Sequence, residues 1–260
     1  MIQNLHVHSV LDDGKSTLEE MVVSAVDKGF TSIGFSGHSV LNFENDWAMK
    51  DYDTYLSEIK RLKEKYDITI YTGLELDTFS DRPPFKTDYL IGSVHNLKVG
   101  DDILSIDLAR DNQIHDIDKY FDGNSLEYAK AYFREMMNIQ GVDIVGHFDL
   151  MEKFNENGDI FDRSYVPYAM ETLHALAARG LMFEINTGAM SRGYDALYPA
   201  PEFLKELNKL GVPIVITTDC HMCDNLDYAY DMAVEHAKDC GYDEIMILTD
   251  SGFKPVSLYV

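Results

Sequence analysis

The sequence predicts an α/β fold built from repeated strand–helix units, and three observations support this prediction. Short apolar runs of strand length recur along the 260 residues, and amphipathic helical patterns lie between most of them. Gly29, Gly180, Gly211 and Gly241 each follow a helical pattern and precede a strand, where a glycine can adopt the left-handed conformation that ends a helix. About seven such units favour either a parallel barrel or a doubly wound sheet.

Each predicted strand is a run of apolar residues of the length expected for one buried strand. The runs span residues 2–7, 31–36, 68–76, 89–94, 142–146, 181–186 and 213–218, with 244–248 as a late extra. The helical patterns span residues 17–28, 53–65, 125–140, 165–179, 200–210 and 226–239. Thr17 and Glu20 have the spacing of a capping box, which satisfies free amides where a helix begins.

The stretch at residues 97–124 interrupts this alternation. It is polar and rich in Asp and has no clear period, so we place it as an insertion beside the functional site. It is either a lid or a surface insertion without a role in turnover. An α/β chain of this length with 45% hydrophobic residues commonly forms one core, so we predict a single domain over residues 1–260.

The charge of the chain limits its partners. Asp and Glu total 45 against 22 Lys and Arg, a formal charge of −23, which repels nucleic-acid phosphates. We therefore expect no DNA or RNA partner. A small phosphorylated substrate would need local cations to reverse the field, and bound divalent metal ions do this.

The first residues and the cysteines suggest a compartment. Residues 1–9 have neither a basic segment nor an apolar segment of the signal-peptide type, and no apolar run approaches 18 residues. The three cysteines are too few to act as a disulfide framework, and the pair at Cys220 and Cys223 lacks the second pair of a zinc site. We expect a soluble cytoplasmic protein without a membrane partner.

Histidines and carboxylates collect at the carboxyl ends of predicted strands, where α/β barrels place their active sites. Neutral imidazole offers a lone pair and a carboxylate can bridge two cations, so the joint pattern predicts a metal site with several ions. Alternate residues of a strand share a face, so His6 and His8 can reach one ion. The strand-end residues are His6, His8, His38, Glu75, His95, His147, Asp219 and His221.

Three histidines lie outside this pattern. His174 and His236 fall within helical patterns, and we interpret them as ordinary helix residues. His115 lies in the insertion and reaches the site only if the insertion folds over it.

At these strand ends the sequence resembles the polymerase-and-histidinol-phosphatase superfamily, known as PHP. The resemblance covers nearly the whole chain and rests on short motifs in a fixed order. These are His6-Val7-His8-Ser9, Gly37-His38, Gly73-Leu74-Glu75, Gly92-Ser93-Val94-His95, Val145-Gly146-His147 and Thr218-Asp219-Cys220-His221. The resemblance implies a distorted (β/α)7 TIM-like barrel with two to three divalent ions, zinc, manganese or iron, at the carboxyl ends of the strands.

The resemblance also implies a ligand set for each ion. The first ion is bound by His6, His8, Glu75 and Asp219. Glu75 bridges it to a second ion, which His95 and His147 bind. The third ion is bound by His38, His221 and one ligand from the first loop. The family often has a histidine before glycine in that loop, whereas Asp12-Asp13-Gly14 occupies the place here. We assign Asp13, with Asp12 as the competitor. An oxygen ligand there shifts the metal preference toward manganese or iron.

Within the superfamily, the monofunctional histidinol-phosphate phosphatases of histidine biosynthesis resemble this chain most, through residues 145–150, 184–187 and 192–193. That branch holds the substrate phosphate with arginines, and a guanidinium can meet two phosphate oxygens at once. Arg192 is our first candidate and Arg163 the second. The implied reaction is hydrolysis of L-histidinol phosphate to L-histidinol and phosphate.

Hydrolysis of a phosphate monoester needs a nucleophile and charge neutralisation on the phosphoryl oxygens, and we expect the metal ions to supply both. Glu75 is the bridging carboxylate. Asp219 and His221 are the residues best placed to protonate the leaving alcohol. The assignment of this role stays open because both are expected metal ligands.

Three other functions remain open. A PHP phosphoesterase for nucleotides, sugar phosphates or phosphotyrosine would have the same ligands, and Glu44, Asp46, Trp47 and Tyr198 are candidates for holding an imidazole and an ammonium group. A non-catalytic metal-binding module would be expected to lack ligands or to carry an attached domain. A metal-dependent amidohydrolase would need a lysine at a strand end to bridge the metals, and none is apparent.

Overall fold

Helices and strands alternate along most of the chain in the computed structural model, which describes residues 2–259. The strands are β1 (Gln3–Asn4), β2 (Ser32–Phe35), β3 (Thr69–Thr72), β4 (Glu75–Asp77), β5 (Ile91–Ser93), β6 (Asn96–Val99), β7 (Asp102–Ser105), β8 (Ile144–Val145), β9 (Met182–Asn186), β10 (Ile214–Thr217), β11 (Glu244–Thr249) and β12 (Gly252–Ser257). The helices are α1 (Leu18–Asp27), α2 (Asp53–Lys65), α3 (Arg110–Tyr120), α4 (Ser125–Met136), α5 (Val166–Ala177), α6 (Gly188–Ser191), α7 (Pro201–Lys209) and α8 (Tyr230–Asp239).

Two parallel sheets contain the strands that the sequence predicts. One has the order β1-β2-β3 and the other the order β10-β9-β8-β5-β4. Isolated parallel bridges join the two sheets, Val7 with Cys220 and His38 with Glu75. The predicted α/β class with parallel strands is confirmed, whereas the strands within residues 2–259 do not form one closed sheet.

The predicted strand at residues 68–76 is two strands, because the chain changes sheets at Gly73 and Leu74. β3 pairs with β2, and β4 pairs with β5. A Cβ atom on Gly73 would lie only 2.4 Å from the ring of Tyr89, so this crossing requires glycine. The Tyr55 hydroxyl donates to the Gly73 carbonyl at 2.7 Å and holds the crossing in place. The break places Glu75 at the first position of β4, beside His38.

The core consists of three clusters of buried apolar side chains. One cluster contains side chains from α4, α5, α7 and α8, and a second contains side chains from α1 and α2. The third lies between the strands and takes its members from six of the predicted parallel strand runs and from β11. These are Leu5, Tyr71, Tyr89, Ile91, Ile144, Met182, Val215 and Leu248.

The predicted helix signals are confirmed. Thr17 accepts a hydrogen bond from the Glu20 amide at 3.2 Å, and the Thr17 amide donates to the Glu20 carboxylate at 2.7 Å. The four glycines that follow helices have φ values of 75°, 77°, 69° and 94°. Left-handed backbone at these positions ends each helix before the next strand.

The insertion at residues 97–124 is more regular than its polar sequence suggests. β6 and β7 form an antiparallel hairpin, and α3 follows it. α3 buries only Gln113 and Ile117, so its sequence has no clear apolar period. The Gln113 side-chain amide donates to the Met151 carbonyl at 2.9 Å, and the Ile106 amide donates to the His95 carbonyl at 2.8 Å. The insertion is therefore anchored beside strand ends that hold site residues.

The late strand run forms a hairpin rather than a further parallel strand. β11 pairs antiparallel with β12, and the Gln3 side chain joins it to β1. The Gln3 amide oxygen accepts from Leu248 N at 2.8 Å, and its nitrogen donates to Leu248 O at 2.9 Å. Within residues 2–259 no helix combines the length and the apolar character needed to cross a membrane.

Candidate metal centre

The predicted ligands meet at one edge of the parallel strands. Apart from Asp13 of the first loop, each lies at or just beyond a strand end, and parallel strands bring their carboxyl ends to the same edge. Nine side chains form four overlapping groups whose nitrogen and oxygen atoms lie within 4.8 Å of one another. The groups are His6 with His8 and Asp219; His6 with Glu75 and His147; His38 with Glu75 and His95; and His8 with Asp13, His38 and His221.

Glu75 lies at the centre of this arrangement and is buried. Its Oε2 atom is 3.3 Å from His6 Nε2, 3.6 Å from His8 Nε2 and 3.0 Å from His38 Nδ1. Burial acts to raise the pKa of the carboxyl, but the surrounding imidazoles outweigh it and hold the pKa well below its usual range. Glu75 is therefore an ionised carboxylate that faces several imidazole nitrogens.

The second oxygen of Glu75 faces a different pair of histidines. Oε1 lies 2.9 Å from His147 Nε2 and 3.3 Å from His95 Nε2, and the two Nε2 atoms are 3.2 Å apart. Two imidazole nitrogens and one carboxylate oxygen thus converge on a single point. A carboxylate with separate nitrogen groups on its two oxygens has the arrangement of a bridging ligand.

Asp219 completes the group around the first strand. Its Oδ1 atom is 3.1 Å from His8 Nε2 and 3.8 Å from His6 Nε2. Asp219 has φ of 48°, in the left-handed region that non-glycine residues seldom adopt. Such strained backbone is often found at functional sites, where the surrounding structure holds it in place.

The two aspartates of the first loop have different surroundings. Asp13 Oδ1 is 3.2 Å from His221 Nε2 and 3.7 Å from His38 Nε2, so Asp13 belongs to the outer group. Asp12 instead accepts from His8 Nδ1 at 2.6 Å and from the His38 amide at 3.0 Å. The geometry favours Asp13 over Asp12 as the loop ligand.

The site is suited to binding cations. His6 Nε2, His8 Nε2 and Glu75 Oε2 are buried atoms without a hydrogen-bond partner. Burial lowers the pKa of the His8 ring, but Asp12 and the other nearby carboxylates outweigh burial and raise this pKa to about 10. The same competition, with Glu184 as the strongest opposing group, raises the pKa of His6 well above its usual value. The carboxylates therefore require positive charge here, and the donor set suits divalent metal ions.

A pocket of about 640 Å³ opens above these groups. Among its lining residues, Lys15, Lys153 and Arg192 are cationic, Asp46 and Asp107 are acidic, and Trp47 is aromatic. Trp47 packs edge-on against the His38 ring at 4.6 Å between centroids. The pocket therefore combines cations for an anionic group with acidic and aromatic surface for the remainder of a ligand.

The two predicted phosphate-binding arginines lie in different places. Arg192 lines the pocket, with Nη2 2.9 Å from His221 Nδ1 and 3.6 Å from Asp219 Oδ1. Arg163 lies outside the residues that line the pocket and is 60% exposed, and it pairs with Glu202. The structure brings Arg192 to the site and does not bring Arg163 there.

Of the other residues that the sequence analysis singled out, some line the pocket and others do not. Asp46 and Trp47 line the pocket, whereas Glu44 and Tyr198 are not among its lining residues. His115 is exposed on α3 and is likewise outside the pocket lining. The two helix histidines are apart from the ligand groups: His174 pairs with Glu206 at 3.0 Å, and His236 lies on α8.

Sequence reasoning missed an ion pair at the pocket. Lys153 Nζ lies 2.9 Å from Asp107 Oδ2 and 3.1 Å from Asp107 O. Asp107 comes from the insertion and Lys153 from a 3₁₀ helix at Leu150–Phe154, so this pair joins the insertion to the pocket wall. No local pattern marks either residue, because the two are 46 positions apart in the sequence.

The chain is similar to known proteins of one family. Residues 4–188 match the family model of the PHP domain. The chain is 24% identical to a histidinol-phosphatase of Bacillus subtilis, over 88% of this chain and 97% of the relative. It is 26% identical to a probable histidinol-phosphatase of Deinococcus radiodurans, over 91% of this chain and 92% of the relative.

Among solved structures, the chain is similar to a histidinol phosphate phosphatase of Lactococcus lactis complexed with zinc, L-histidinol and phosphate. The TM-score is 0.74 at 23% identity, over 97% of this chain and 98% of the other. This likeness shows a shared α/β fold along nearly the whole chain. Because the family model matches more than half of the 260 residues, the chain belongs to the PHP domain family.

Proposed function

We propose that the chain is a metal-dependent phosphomonoesterase that hydrolyses L-histidinol phosphate to L-histidinol and phosphate in histidine biosynthesis. The observation that carries the proposal is the convergence of nine His, Asp and Glu side chains below a pocket that also holds Arg192. The relatives in Bacillus subtilis and Deinococcus radiodurans bear the histidinol-phosphatase name and support this choice within the family.

The proposed metal ligands are the nine side chains of the four groups. Divalent ions held there would provide a water of lowered pKa as nucleophile and would neutralise charge on the phosphoryl oxygens. We propose two to three ions of zinc, manganese or iron, with Glu75 as the bridge between two of them. Asp13 in the outer group supplies oxygen, which favours manganese or iron at the third position.

Arg192 is the proposed phosphate-binding residue. Its side chain is 30% exposed, so it is partly shielded and still open to the pocket. A guanidinium can donate to two phosphate oxygens, and the contact is strong because both partners are charged. Lys153 is a further cation on the pocket wall and replaces Arg163 as the candidate to assist Arg192.

The alcohol part of the substrate bears an imidazole and an ammonium group. Asp46, Asp107 and Trp47 on the pocket wall offer negative charge and an aromatic face, which suit a cationic aromatic alcohol. For the departing oxygen, Asp219 and His221 remain the nearest candidates for supplying a proton, and we leave this role open because both are also proposed metal ligands. Both are at the pocket surface, with side chains 10% and 16% exposed.

We also infer that the two parallel sheets are parts of a distorted (β/α)7 barrel. The strand positions follow the order β1, β2, β3 with β4, β5, β8, β9 and β10. The Val7–Cys220 bridge lies where the first and last of these positions meet, which supports closure. We treat residues 1–260 as one domain and place the protein in the cytoplasm, where its three free cysteines would stay reduced.

A substrate panel tests the proposed function. Protein purified without chelator should release phosphate from L-histidinol phosphate with a kcat/KM at least tenfold above that for nucleoside monophosphates, sugar phosphates and phosphotyrosine. Arg192→Ala should reduce this kcat/KM, and Arg163→Ala is the matched control because Arg163 lies outside the pocket lining. Preference for another phosphate ester would refute the assigned substrate, and equal losses in the two variants would refute the role of Arg192.

A further inference from the structure

Glu184 is a buried carboxylate of β9 that belongs to none of the four ligand groups. Its Oε2 atom accepts from His6 Nδ1 at 2.8 Å and from the Thr217 hydroxyl at 2.9 Å. Its Oε1 atom accepts from the His147 amide at 2.8 Å and from the Asn186 side chain at 2.7 Å. A carboxylate has about four lone-pair sites, so every acceptor site of Glu184 is used.

The contact with His6 determines which ring nitrogen is free. In the neutral ring, which is the form that binds metals, Nδ1 carries the hydrogen because it faces a carboxylate. The lone pair then lies on Nε2, the buried nitrogen that has no hydrogen-bond partner. This nitrogen is 3.3 Å from Glu75 Oε2 and 3.8 Å from Asp219 Oδ1, inside the ligand groups.

The contact with the His147 amide holds a second ligand. His147 and His6 follow different strands, β8 and β1, and share one ligand group with Glu75. Since both oxygens of Glu184 are engaged, the carboxylate fixes the main chain at His147 relative to the ring of His6. Glu184 does not line the pocket, so any effect on turnover must pass through these two ligands.

We propose that Glu184 is a positioning residue of the metal centre, which sets the tautomer of His6 and the placement of His6 relative to His147. The proposal rests on the metal ligation of the proposed function and adds a residue outside the ligand set. Carboxylates that orient a ligating histidine typically change metal affinity by about 10- to 100-fold when they are replaced.

Replacement by glutamine makes a specific prediction because the shapes match and the hydrogen-bonding groups do not. The His147 amide can only donate, so the new amide oxygen must face it. The new NH₂ group then faces His6 and Thr217. The threonine hydroxyl can rotate to accept, but His6 can accept only if its hydrogen moves to Nε2. The E184Q variant should therefore hold His6 in the tautomer that blocks its metal-facing nitrogen.

The test measures zinc affinity by competition with a chromophoric chelator, together with the ¹⁵N NMR signals of His6 in zinc-saturated protein. E184Q should bind its tightest zinc about 10- to 100-fold more weakly and lose the Nδ1–H signal of His6. Glu206→Gln is the matched control, because Glu206 also pairs with a histidine, His174, at 3.0 Å but at the surface. It should bind zinc as the wild type does.

Thr217→Val separates positioning from a purely structural role. This change removes one hydrogen bond to Glu184 and leaves the His6 contact in place, so zinc affinity should stay within about twofold of the wild type. Equal losses in T217V and E184Q, or wild-type zinc affinity in folded E184Q, would overturn the proposal. If E184Q does not fold, Glu184→Asp replaces it, since the shorter side chain cannot reach both His6 and His147, and wild-type zinc affinity in E184D would overturn the proposal.

Zinc affinity is measured without any substrate. A protein that fails to hydrolyse L-histidinol phosphate would refute the proposed function and leave this result intact.

Discussion

Replacing Glu75 by glutamine tests the central feature of the site. The change keeps the shape of the side chain and removes its charge, which five imidazoles surround. These are His6, His8, His38, His95 and His147. Removing one partner of a buried charged pair costs about 3–5 kcal/mol. Since 1.4 kcal/mol corresponds to tenfold in an equilibrium constant, metal affinity should fall roughly 100- to 4000-fold.

The assay for Glu75→Gln has two independent readouts. Metal content after gel filtration and a chelator competition titration report binding, and phosphate release from L-histidinol phosphate reports turnover. Glu127→Gln is a suitable control, because Glu127 is an exposed carboxylate that pairs only with Lys130 among the described ion pairs. The control should retain wild-type metal content and kcat.

One result would refute the reasoning about Glu75. If folded E75Q retains its metals through gel filtration and turns over at near the wild-type kcat, then Glu75 does not bridge ions. Loss of turnover with full metal content would instead contradict the binding role and leave a catalytic one.

Four further predictions concern other residues of the protein. Zinc binding to metal-free protein at pH 7 should release protons, because the raised pKa of His8, about 10, keeps its ring protonated and ligation needs the neutral ring. The binding enthalpy measured by calorimetry should therefore differ between two buffers of different ionisation enthalpy, and equal enthalpies would contradict the prediction. Arg192→Ala should raise KM for L-histidinol phosphate about 10- to 100-fold, from the loss of charged hydrogen bonds of about 1.5–3 kcal/mol, and an unchanged kcat/KM argues against phosphate binding. Lys153→Met leaves the Asp107 carboxylate without its cation and should lower the free energy of unfolding, measured by urea titration, by up to about 3 kcal/mol. The same change should cost less in protein that already carries Asp107→Asn, because no charge is then left unpaired. Burial raises the pKa of Asp149 from 3.8 to about 7, so the protonated carboxyl stabilises the fold below about pH 4 and this contribution is lost as the pH rises toward 7. Asp149→Asn should flatten the dependence of the free energy of unfolding on pH in this range, and an unchanged slope would contradict the prediction.

Residue pattern was sufficient for much of the fold because strand and helix periods are local properties. The run at 68–76 shows where this reasoning failed. Its apolar pattern is continuous, but the close approach of Tyr89 to Gly73 divides it between two sheets. The insertion shows the opposite failure. α3 buries two side chains only, so its sequence lacks the period that would have indicated a helix.

The candidate site, like the fold, could be predicted from the sequence only in part. The ligand types at strand ends, with His6-x-His8 as the clearest pair, are local and could be predicted. Arg163 and Arg192 are residues of the same type, and only packing separates them. Arg163 pairs with Glu202 outside the pocket lining, and Arg192 lines the pocket. Lys153 could not be predicted as a pocket cation, because its partner Asp107 lies in a distant segment.

By itself, the sequence determined the α/β class, the order of most strands and helices outside the insertion, and the set of metal-type side chains, because these depend on residue type and spacing along the chain. Only the tertiary structure decided which oxygen of Glu75 faces which imidazoles, which loop aspartate joins the outer group, and that Glu184 lies beneath His6 and His147. The physical reason is that hydrogen bonds and ligand groups depend on distances of a few ångströms between atoms of different strands. Spacing along one strand places a side chain at the edge of the sheet, whereas packing of all the strands determines its neighbours there.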